Sequence, residues 1–274
     1  MPEGDTVWLA ARRLNDALGG QILLASDFRI PALATTDLRG RQIREVISRG
    51  KHLLMRIEPD LTIHSHFRMD GAWHLYRPDK RWAGPAHEIR VVLRTADWSA
   101  VGYRLPVLEL VASAAEATVV GHLGPDVLGP DWDPDEAVRR LRTDGGRTIG
   151  EALLDQRNLA GVGNLYKSEA LFLSGISPWT PTEHVAKLAG VVERARRLID
   201  ANKERAAQIT TGDSRRGHET WVYGRSGQPC RRCATTILRR DQGPAGSDRV
   251  TFWCPNCQPG GSPAQDEASR NPRC

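Results

Sequence analysis

Four of the five cysteines in this 274-residue chain fall into two identical pairs near its C-terminal end. Cys230 and Cys233 form the first C-x-x-C pair, and Cys254 and Cys257 repeat that spacing further along the chain. Two such turns can close a tetrahedral site of four thiolates, which favours zinc and leaves no coordination position open for a substrate. The spacing therefore predicts one structural Zn²⁺ in a small C-terminal finger.

The cysteines could instead be redox-active or form disulfides, and two histidines could form a second metal site. A redox-active C-x-x-C would open a helix in a βαβ unit, which neither pair does, and a cytosolic setting disfavours disulfides. Cys274 stands apart and is expected to be an incidental thiol. His64 and His66 could face one side of a strand, but no third ligand at suitable spacing joins them, so we expect no metal there.

Composition indicates a soluble cytoplasmic protein with a basic C-terminal part. The chain is 40% hydrophobic, which is enough to build a core, and no stretch is long and apolar enough for a membrane span or a signal peptide. The net charge is +5, and eight arginines stand against three acidic residues between positions 215 and 249. This distribution favours a polyanionic partner.

Hydrophobic patterning divides the chain into parts of different type. An amphipathic helix is predicted from Thr6 to Leu18, and short runs bounded by Gly, Pro and Asp predict antiparallel β layers as far as about Val111. The turn-rich "GPDVLGPDWDPDE" then leads into helical patterns. The sequence thus predicts a multi-domain α+β protein whose domains cover 1–120, 121–213 and 214–259, followed by a disordered tail over 260–274.

The stretch "TIGEALLDQRNLAGVGNLYKSEALF" predicts two short helices joined by a glycine-containing turn. Asn164 stands where it could cap the second helix, and Lys167 adds a positive charge to its first turn. A helix N-terminus with free backbone N–H groups binds anions, so a DNA phosphate would suit this site. An ordinary αα-hairpin within a helical bundle is the alternative.

A set of short motifs is distributed along the chain: "PEG" at the start, "SRGKHLL", "SHFRMDG", "GPDVL", "LLDQRNLAGVGNLYKSEALF", "VYGRSGQPCRRC" and "DRVTFWCPNCQ". In these motifs the chain resembles the Fpg/Nei family of DNA glycosylases, and within it the endonuclease VIII (Nei) branch. The resemblance spans residues 2–258 and implies an N-terminal catalytic β-sandwich with a flanking helix, a helix-two-turn-helix domain and a C-terminal zinc finger.

The resemblance implies catalytic roles for four residues. Pro2 is expected to be the nucleophile, because removal of Met1 would expose a secondary amine whose pKa near 8 leaves part of it unprotonated at neutral pH. Glu3 matches the general acid/base, and Lys51 matches a lysine that contacts phosphate and assists elimination. Arg249 matches a finger arginine that assists elimination on the 5′ side.

DNA contacts are implied for a further set of residues. Arg68 and Met69 lie in the loop that supplies wedge residues in the family, where they would fill the gap left by an extruded nucleotide. A core-facing methionine is the alternative for Met69. Asp70 and His122 depart from the family pattern, although His122 stands where an arginine usually binds phosphate. Asn164 and Lys167 complete the expected contacts.

These implications predict a monomeric base excision repair enzyme that acts on damaged DNA, at the nucleoid, with no membrane association. It would be a bifunctional DNA glycosylase and AP lyase that excises oxidised pyrimidines through a Pro2 Schiff base and cleaves the strand by β,δ-elimination. Two alternatives stay open. One is a noncatalytic zinc-finger DNA-binding protein on the same scaffold, and the other is an Fpg-type glycosylase for 8-oxoguanine.

Overall fold

The computed structural model describes residues 2–246 and 248–261. Within that part of the chain, no helix is both long and apolar enough to cross a membrane. Met1 and Cys274 lie outside the described residues. The predicted disordered tail also lies outside them from residue 262 onward.

Residues 2–112 form a helix and two antiparallel sheets. Helix α1 spans Gly4–Leu18. One sheet has the strand order β1-β6-β7-β5 and the other has the order β2-β3-β4-β8. The strands are β1 (Ala25–Phe28), β2 (Ile43–Arg49), β3 (His52–Ile57), β4 (Leu61–His66), β5 (Ala72–Tyr76), β6 (Ile89–Arg94), β7 (Ser99–Tyr103) and β8 (Val107–Ala112).

The two sheets and α1 share one hydrophobic core, which confirms the predicted β-sandwich with a flanking helix. Helix α1 contributes a stripe of buried residues at helical spacing, namely Val7, Ala11, Leu14 and Leu18. The helix begins two residues earlier than the predicted start at Thr6, and Glu3 occupies its N-cap position. The start of this helix therefore places the second and third residues of the chain at the edge of the sandwich.

The following part of the chain is helical, as predicted. Its helices are α2 (Ala117–Val120), α3 (Pro134–Thr143), α4 (Ile149–Ala152), α5 (Asn164–Ser174) and α6 (Leu188–Asn202). Helix α4 is a single turn, and α6 is the longest of these helices with 15 residues. The side chains of α3, α5 and α6 enclose a second hydrophobic core, which includes Leu141, Tyr166 and Val192.

The four-cysteine region folds around the antiparallel hairpin of β9 (Leu238–Gln242) and β10 (Arg249–Trp253). Phe172 from α5 packs into its small core beside Val222 and Phe252. The buried Glu169 of α5 also accepts hydrogen bonds from the backbone N–H groups of residues 221–223 at 2.8–2.9 Å. Helix α5 thus fastens the finger to the helical part, and Gln242 of the hairpin adds hydrogen bonds to Thr148 and to the Pro178 carbonyl oxygen.

Candidate active site and nucleic-acid interface

A cleft of about 380 Å³ lies where the sandwich, the helical part and the finger meet. The sandwich contributes Lys51 and His66, α5 contributes Asn164, and the finger hairpin contributes Gln242 and Arg249. Lys51, Asn164 and Arg249 were predicted as site residues from three distant stretches of sequence. The fold brings them to one cleft with positive charge on two of its walls.

Glu3 anchors the N-terminal end of the chain beside this cleft. Its fully buried carboxylate accepts hydrogen bonds from the backbone N–H groups of Gly163 at 2.8 Å and Leu165 at 2.7 Å. Glu3 therefore caps α5, and the prediction that Asn164 caps this helix is wrong. A Cβ atom at position 163 would lie 2.4 Å from the Glu3 carboxyl carbon, so only glycine leaves room for that carboxylate.

The environment of Glu3 keeps a proton available near neutral pH. Burial raises the pKa of this carboxyl to about 7, although the positive charge of Lys51 and the N–H group of Leu165 lower it. Asp5 adds a smaller increase through its negative charge. A pKa close to the working pH is what general acid/base catalysis requires. Pro2 is half-buried and directly precedes this carboxylic acid.

Lys51 lies in the tight turn between β2 and β3. Gly50 has a φ of +57°, and a Cβ atom there would approach the Ala160 Cβ to 2.9 Å, so the turn requires glycine. Asp126 accepts a hydrogen bond from the Gly50 N–H at 2.7 Å. Burial lowers the pKa of Lys51, the negative charge of Glu3 partly opposes this effect, and the positive charge of Arg249 adds to it. The site therefore makes the protonated, positively charged form of Lys51 less favourable than it is in water.

Asn164 joins the start of α5 to the finger. Its Nδ2 atom donates to the carbonyl oxygen of Val250 at 2.7 Å, and its buried Oδ1 atom has no hydrogen-bond partner among the described residues. Val250 follows Arg249 in β10, so this bond fixes the strand that carries the arginine. The side chain lines the cleft, as a nucleic-acid contact would require.

Lys167 occupies a different environment from the predicted one. The side chain is fully buried, and its Nζ atom donates to the Thr251 hydroxyl at 2.7 Å. Burial lowers the pKa of Lys167 to about 7. This position does not fit the predicted contact with a DNA phosphate, because the lysine side chain points into the contact between α5 and β10 rather than out to solvent.

The predicted wedge loop between β4 and β5 is exposed. Met69 is 59% exposed, which contradicts the alternative of a core-facing methionine. Arg68 is also exposed and adopts a left-handed backbone with a φ of +47°. Asp70 turns its carbonyl oxygen towards Arg104, which donates to it from Nε at 3.1 Å. The tip of the loop is therefore free to contact a ligand.

A group of histidines lies next to Lys51. The His52 ring stacks on His64 with centroids 5.0 Å apart, and it meets the edges of His66 and the exposed His122. Burial lowers the pKa of His66 to about 4. Sequence reasoning singled out His66 only as a metal-ligand alternative and did not find its place in the cleft. The signal that could have revealed it is its place in the motif "SHFRMDG", shortly before the predicted wedge residues Arg68 and Met69.

The four predicted metal ligands converge within the finger. Their sulfur atoms all lie within 4.8 Å of one another, and this is the one such group found among residues 2–246 and 248–261. The Cys233–Cys254 and Cys230–Cys257 sulfur pairs are 3.4 Å and 3.9 Å apart. Zn–S bonds of about 2.3 Å in a tetrahedron separate sulfurs by about 3.8 Å, so the group fits a metal ion of that size.

Comparison with family models identifies two regions of the chain. Residues 1–104 match the formamidopyrimidine-DNA glycosylase N-terminal domain, and residues 123–210 match the formamidopyrimidine-DNA glycosylase H2TH domain. A sandwich and a helix-two-turn-helix that share a cleft with a four-cysteine finger are the arrangement that the resemblance implied.

Curated relatives and solved structures agree with these matches. The chain is 56% identical to "Probable endonuclease 8 2" of Streptomyces coelicolor, over 96% of both chains. It is 46% identical to "DNA-(apurinic or apyrimidinic site) lyase Nei2" of Mycolicibacterium smegmatis, over 94% of this chain and 99% of that relative. A Lactococcus lactis Fpg (MutM) bound to DNA containing N7-benzyl-Fapy-dG superposes with a TM-score of 0.78 at 25% identity, covering 94% of this chain and 100% of that one.

These matches place the protein among the DNA glycosylases that combine a β-sandwich with a helix-two-turn-helix domain. The chain belongs to the formamidopyrimidine-DNA glycosylase and endonuclease 8 family. The predicted family and fold class are confirmed. The exact domain boundaries and the roles of the individual site residues stay predictions.

Proposed function

We propose that the chain is a bifunctional DNA glycosylase and AP lyase that excises oxidised pyrimidines from damaged DNA with Pro2 as its nucleophile. The observation that carries this proposal is the carboxylic acid of Glu3. It directly follows Pro2, is fixed on the N-terminus of α5, and has a pKa near neutrality. Curated relatives named endonuclease 8 and AP lyase Nei2 support the same activity.

The first step requires the Pro2 nitrogen as a free secondary amine, which removal of Met1 would provide. The amine forms a bond to C1′ of the damaged nucleotide, and the bond from C1′ to the base breaks with its electron pair leaving on the base. Glu3 supplies the proton that this departure requires. The nitrogen then loses its proton, and its lone pair forms a C=N bond as the C1′–O4′ bond breaks and O4′ takes up a proton. The opened sugar is an iminium ion, whose positive charge on nitrogen acidifies the C2′ hydrogen.

Strand cleavage follows from that acidity. Loss of the C2′ proton places its electron pair between C2′ and C3′, and the 3′ phosphate leaves with the C3′–O electron pair. Lys51 lies at the cleft beside Glu3 and is suited to assist this step. Arg249 on the opposite wall is suited to neutralise the 5′ phosphate that leaves in the second elimination. Water then hydrolyses the iminium and frees Pro2.

Zinc is the metal we propose for the finger. Four thiolates form a closed coordination sphere, so the metal would hold the hairpin that carries Arg249 and take no part in the reaction. Cys230, Cys233, Cys254 and Cys257 would be its ligands.

Damaged DNA is the proposed partner of the exposed residues around the cleft, and the protein would bind it as a monomer. Met69 would fill the gap in the base stack, and Arg68 would contact the strand beside it. His122 and Asn164 would contact the phosphates next to the extruded nucleotide. The lesion choice among oxidised pyrimidines follows the resemblance to the endonuclease VIII branch.

Borohydride trapping tests the proposal directly. Duplexes carrying thymine glycol, 8-oxoguanine or an abasic site are incubated with the protein, and borohydride reduces any iminium to a stable covalent complex. We expect rapid trapping on thymine glycol and on the abasic site. The matched control is a form with one extra residue before Pro2, confirmed by mass spectrometry, in which the Pro2 nitrogen is an amide. Normal trapping by that form would show that the nucleophile lies elsewhere.

A further inference from the structure

A second buried carboxylate lies next to Glu3, and the chemistry proposed above gives it no role. Asp5 is 2% exposed and accepts a hydrogen bond from the Tyr166 hydroxyl at 2.6 Å. The Gln208 Nε2 atom lies 3.0 Å and 3.1 Å from its two oxygens. Thr6 donates to it from Oγ1 at 3.3 Å. All of these donors are neutral, and no ion pair of Asp5 occurs among the described residues.

These contacts hold the Asp5 carboxylate in place. A buried carboxylate without a cation is costly unless hydrogen bonds satisfy it. Here three side chains from α1, α5 and the segment after α6 supply those bonds. The first turn of α1 therefore holds a second carboxylate in a fixed position two residues from Glu3, where its charge raises the pKa of Glu3.

Tyr166 connects the two carboxylates. Its backbone N–H points at Glu3 Oε2 at 3.5 Å, and its hydroxyl donates to Asp5. Burial and the charge of Asp5 raise the pKa of Tyr166, so the phenol keeps the proton that it donates. The start of α1 is thus attached to the start of α5 at two points, one through Glu3 and one through Asp5.

We propose that Asp5 is a positioning residue for the general acid Glu3, because it fixes the Glu3 carboxyl against α5 through Tyr166 and opposes a second negative charge there. This inference rests on the proposed role of Glu3. The two carboxylates would then have different roles. Glu3 transfers the proton, and Asp5 holds Glu3 in position and raises its pKa.

Several charged or titratable groups face Glu3 from the elements packed around it. Asp5 does so from α1, Lys51 from the β2–β3 turn, Tyr166 and Lys167 from α5, and Tyr223 from the finger. Burial raises the pKa of Glu3, Lys51 lowers it, and Asp5 raises it. Removal of the Asp5 charge leaves the lysines unopposed, so the pKa of Glu3 falls and less of its acid form remains at neutral pH.

The test is the pH profile of base excision in single turnovers, with thymine glycol or 8-oxoguanine, whichever the wild type excises faster. A reaction that needs protonated Glu3 slows as the pH rises through the pKa of Glu3. We expect Asp5→Asn to move this alkaline limb to lower pH by about 0.5–1 unit, the size of a nearby-charge effect. Cleavage of a preformed abasic site should keep its wild-type profile.

Two further variants separate charge from position. Asp5→Glu keeps the charge and should leave the limb in place even where the rate falls. Tyr166→Phe keeps the ring but removes the link, and should lower the excision rate at every pH. Asp16→Asn removes an exposed charge from the same helix and should match the wild type. Melting temperature and zinc content confirm that each variant is folded.

The outcomes distinguish this inference from the function on which it rests. If Glu3→Gln excises bases normally, the proposed role of Glu3 fails. If Glu3→Gln loses excision while Asp5→Asn keeps the wild-type alkaline limb, the inference about Asp5 alone is overturned. A limb that shifts equally in Asp5→Glu and Asp5→Asn would also overturn it, because the charge would then not be the cause.

Discussion

The carboxylate of Asp126 accepts a hydrogen bond from the backbone N–H of Gly50 at 2.7 Å. Asp126 belongs to the segment that leads from the sandwich into the helical part, and Gly50 directly precedes Lys51. The other carboxylate oxygen accepts from the Leu128 N–H at 3.1 Å, so the aspartate side chain is also fixed to its own segment. The position of Lys51 in the cleft is therefore set by the next domain.

Replacement of Asp126 should misplace Lys51 without removing it. Asp126 accepts from two backbone N–H groups, those of Gly50 and Leu128. In Asp126→Asn the side chain keeps only one acceptor oxygen, and its NH₂ group faces one of these donors. We expect cleavage of an abasic site to slow about tenfold, because small misplacements of a catalytic group are costly. Asp144→Asn changes an exposed aspartate at the end of α3, away from the Gly50–Lys51 turn, and serves as the control. Equal rates in the two variants would contradict this role.

Gly163 offers a way to displace Glu3 while its chemistry stays intact. A Cβ atom at this position would lie within 2.4–2.6 Å of the Glu3 side chain, so Gly163→Ala must move the carboxylate off the start of α5. We expect base excision in single turnovers to fall by about tenfold or more. Gly146→Ala adds the same methyl group where no atom lies within 4 Å and should behave like the wild type. An unimpaired Gly163→Ala would mean that the cap is not needed.

Local patterns in the sequence identified most of the fold. Short runs bounded by Gly, Pro and Asp predicted the β layers, and the cysteine spacing predicted the finger. The residues of the short strand β1, "ASDF", show no clear alternation, and this strand depends on its pairing with β6. Helix α4 is a single turn, and the Asn158 side chain donates to the Ala152 carbonyl oxygen at its end, a contact that helical propensity does not reveal.

The site could be predicted only where a motif marked it. The cap of α5 by Glu3 joins residues 160 positions apart, and no local pattern reveals such a contact. Lys167 illustrates the opposite error, because a lysine in the first turn of a helix is typical of an exposed position, yet the finger covers it here. The contacts of Asp5 are equally hidden from local patterns, since its donors include Tyr166 of α5 and Gln208 after α6.

Lys167 should make the protein less stable at low pH than at high pH. Burial lowers the pKa of Lys167 to about 7 from its ordinary value of 10.5, so burial of the charged form is unfavourable. The full penalty applies below pH 7, and it disappears as the pH rises towards 10. We expect Lys167→Met to raise the free energy of unfolding by about 1–4 kcal/mol at pH 6, and by less at pH 9. Urea denaturation measures this, with the exposed Lys187→Met as control.

Met69 should matter for paired DNA and not for unpaired DNA. Extrusion of a nucleotide from a duplex costs a few kcal/mol of lost stacking, which an inserted apolar side chain offsets. Met69→Ala should therefore slow excision from a duplex about tenfold and leave excision from a single strand unchanged. Leu24→Ala truncates another exposed apolar residue, 60% exposed and remote from the cleft, and should change neither rate. A similar loss on both substrates would argue against a wedge.

Loss of a cysteine ligand should unfold the finger, whereas loss of Arg249 should leave it folded. Cys254→Ser removes one of four thiolates, and the binding energy of the metal is largely folding energy for so small a module. We expect this variant to lose its metal, detected by atomic absorption, and to lose the finger surface from the DNA interface. Both the affinity for DNA and its salt dependence should then decrease.

Arg249→Ala should leave the metal in place and alter only what the arginine contacts. Four thiolates still close the site, and Asn164 still holds β10 through the Val250 carbonyl. The salt slope of DNA binding should therefore fall by about one charge, as expected for one lost phosphate contact. Without a cation at the 5′ phosphate, the second elimination slows, so the cleaved strand should carry mainly β-elimination ends. End-group analysis of the cleaved strand and DNA binding at several salt concentrations measure the two effects. Wild-type strand ends together with an unchanged salt slope would show that Arg249 has no role in the reaction or in DNA binding.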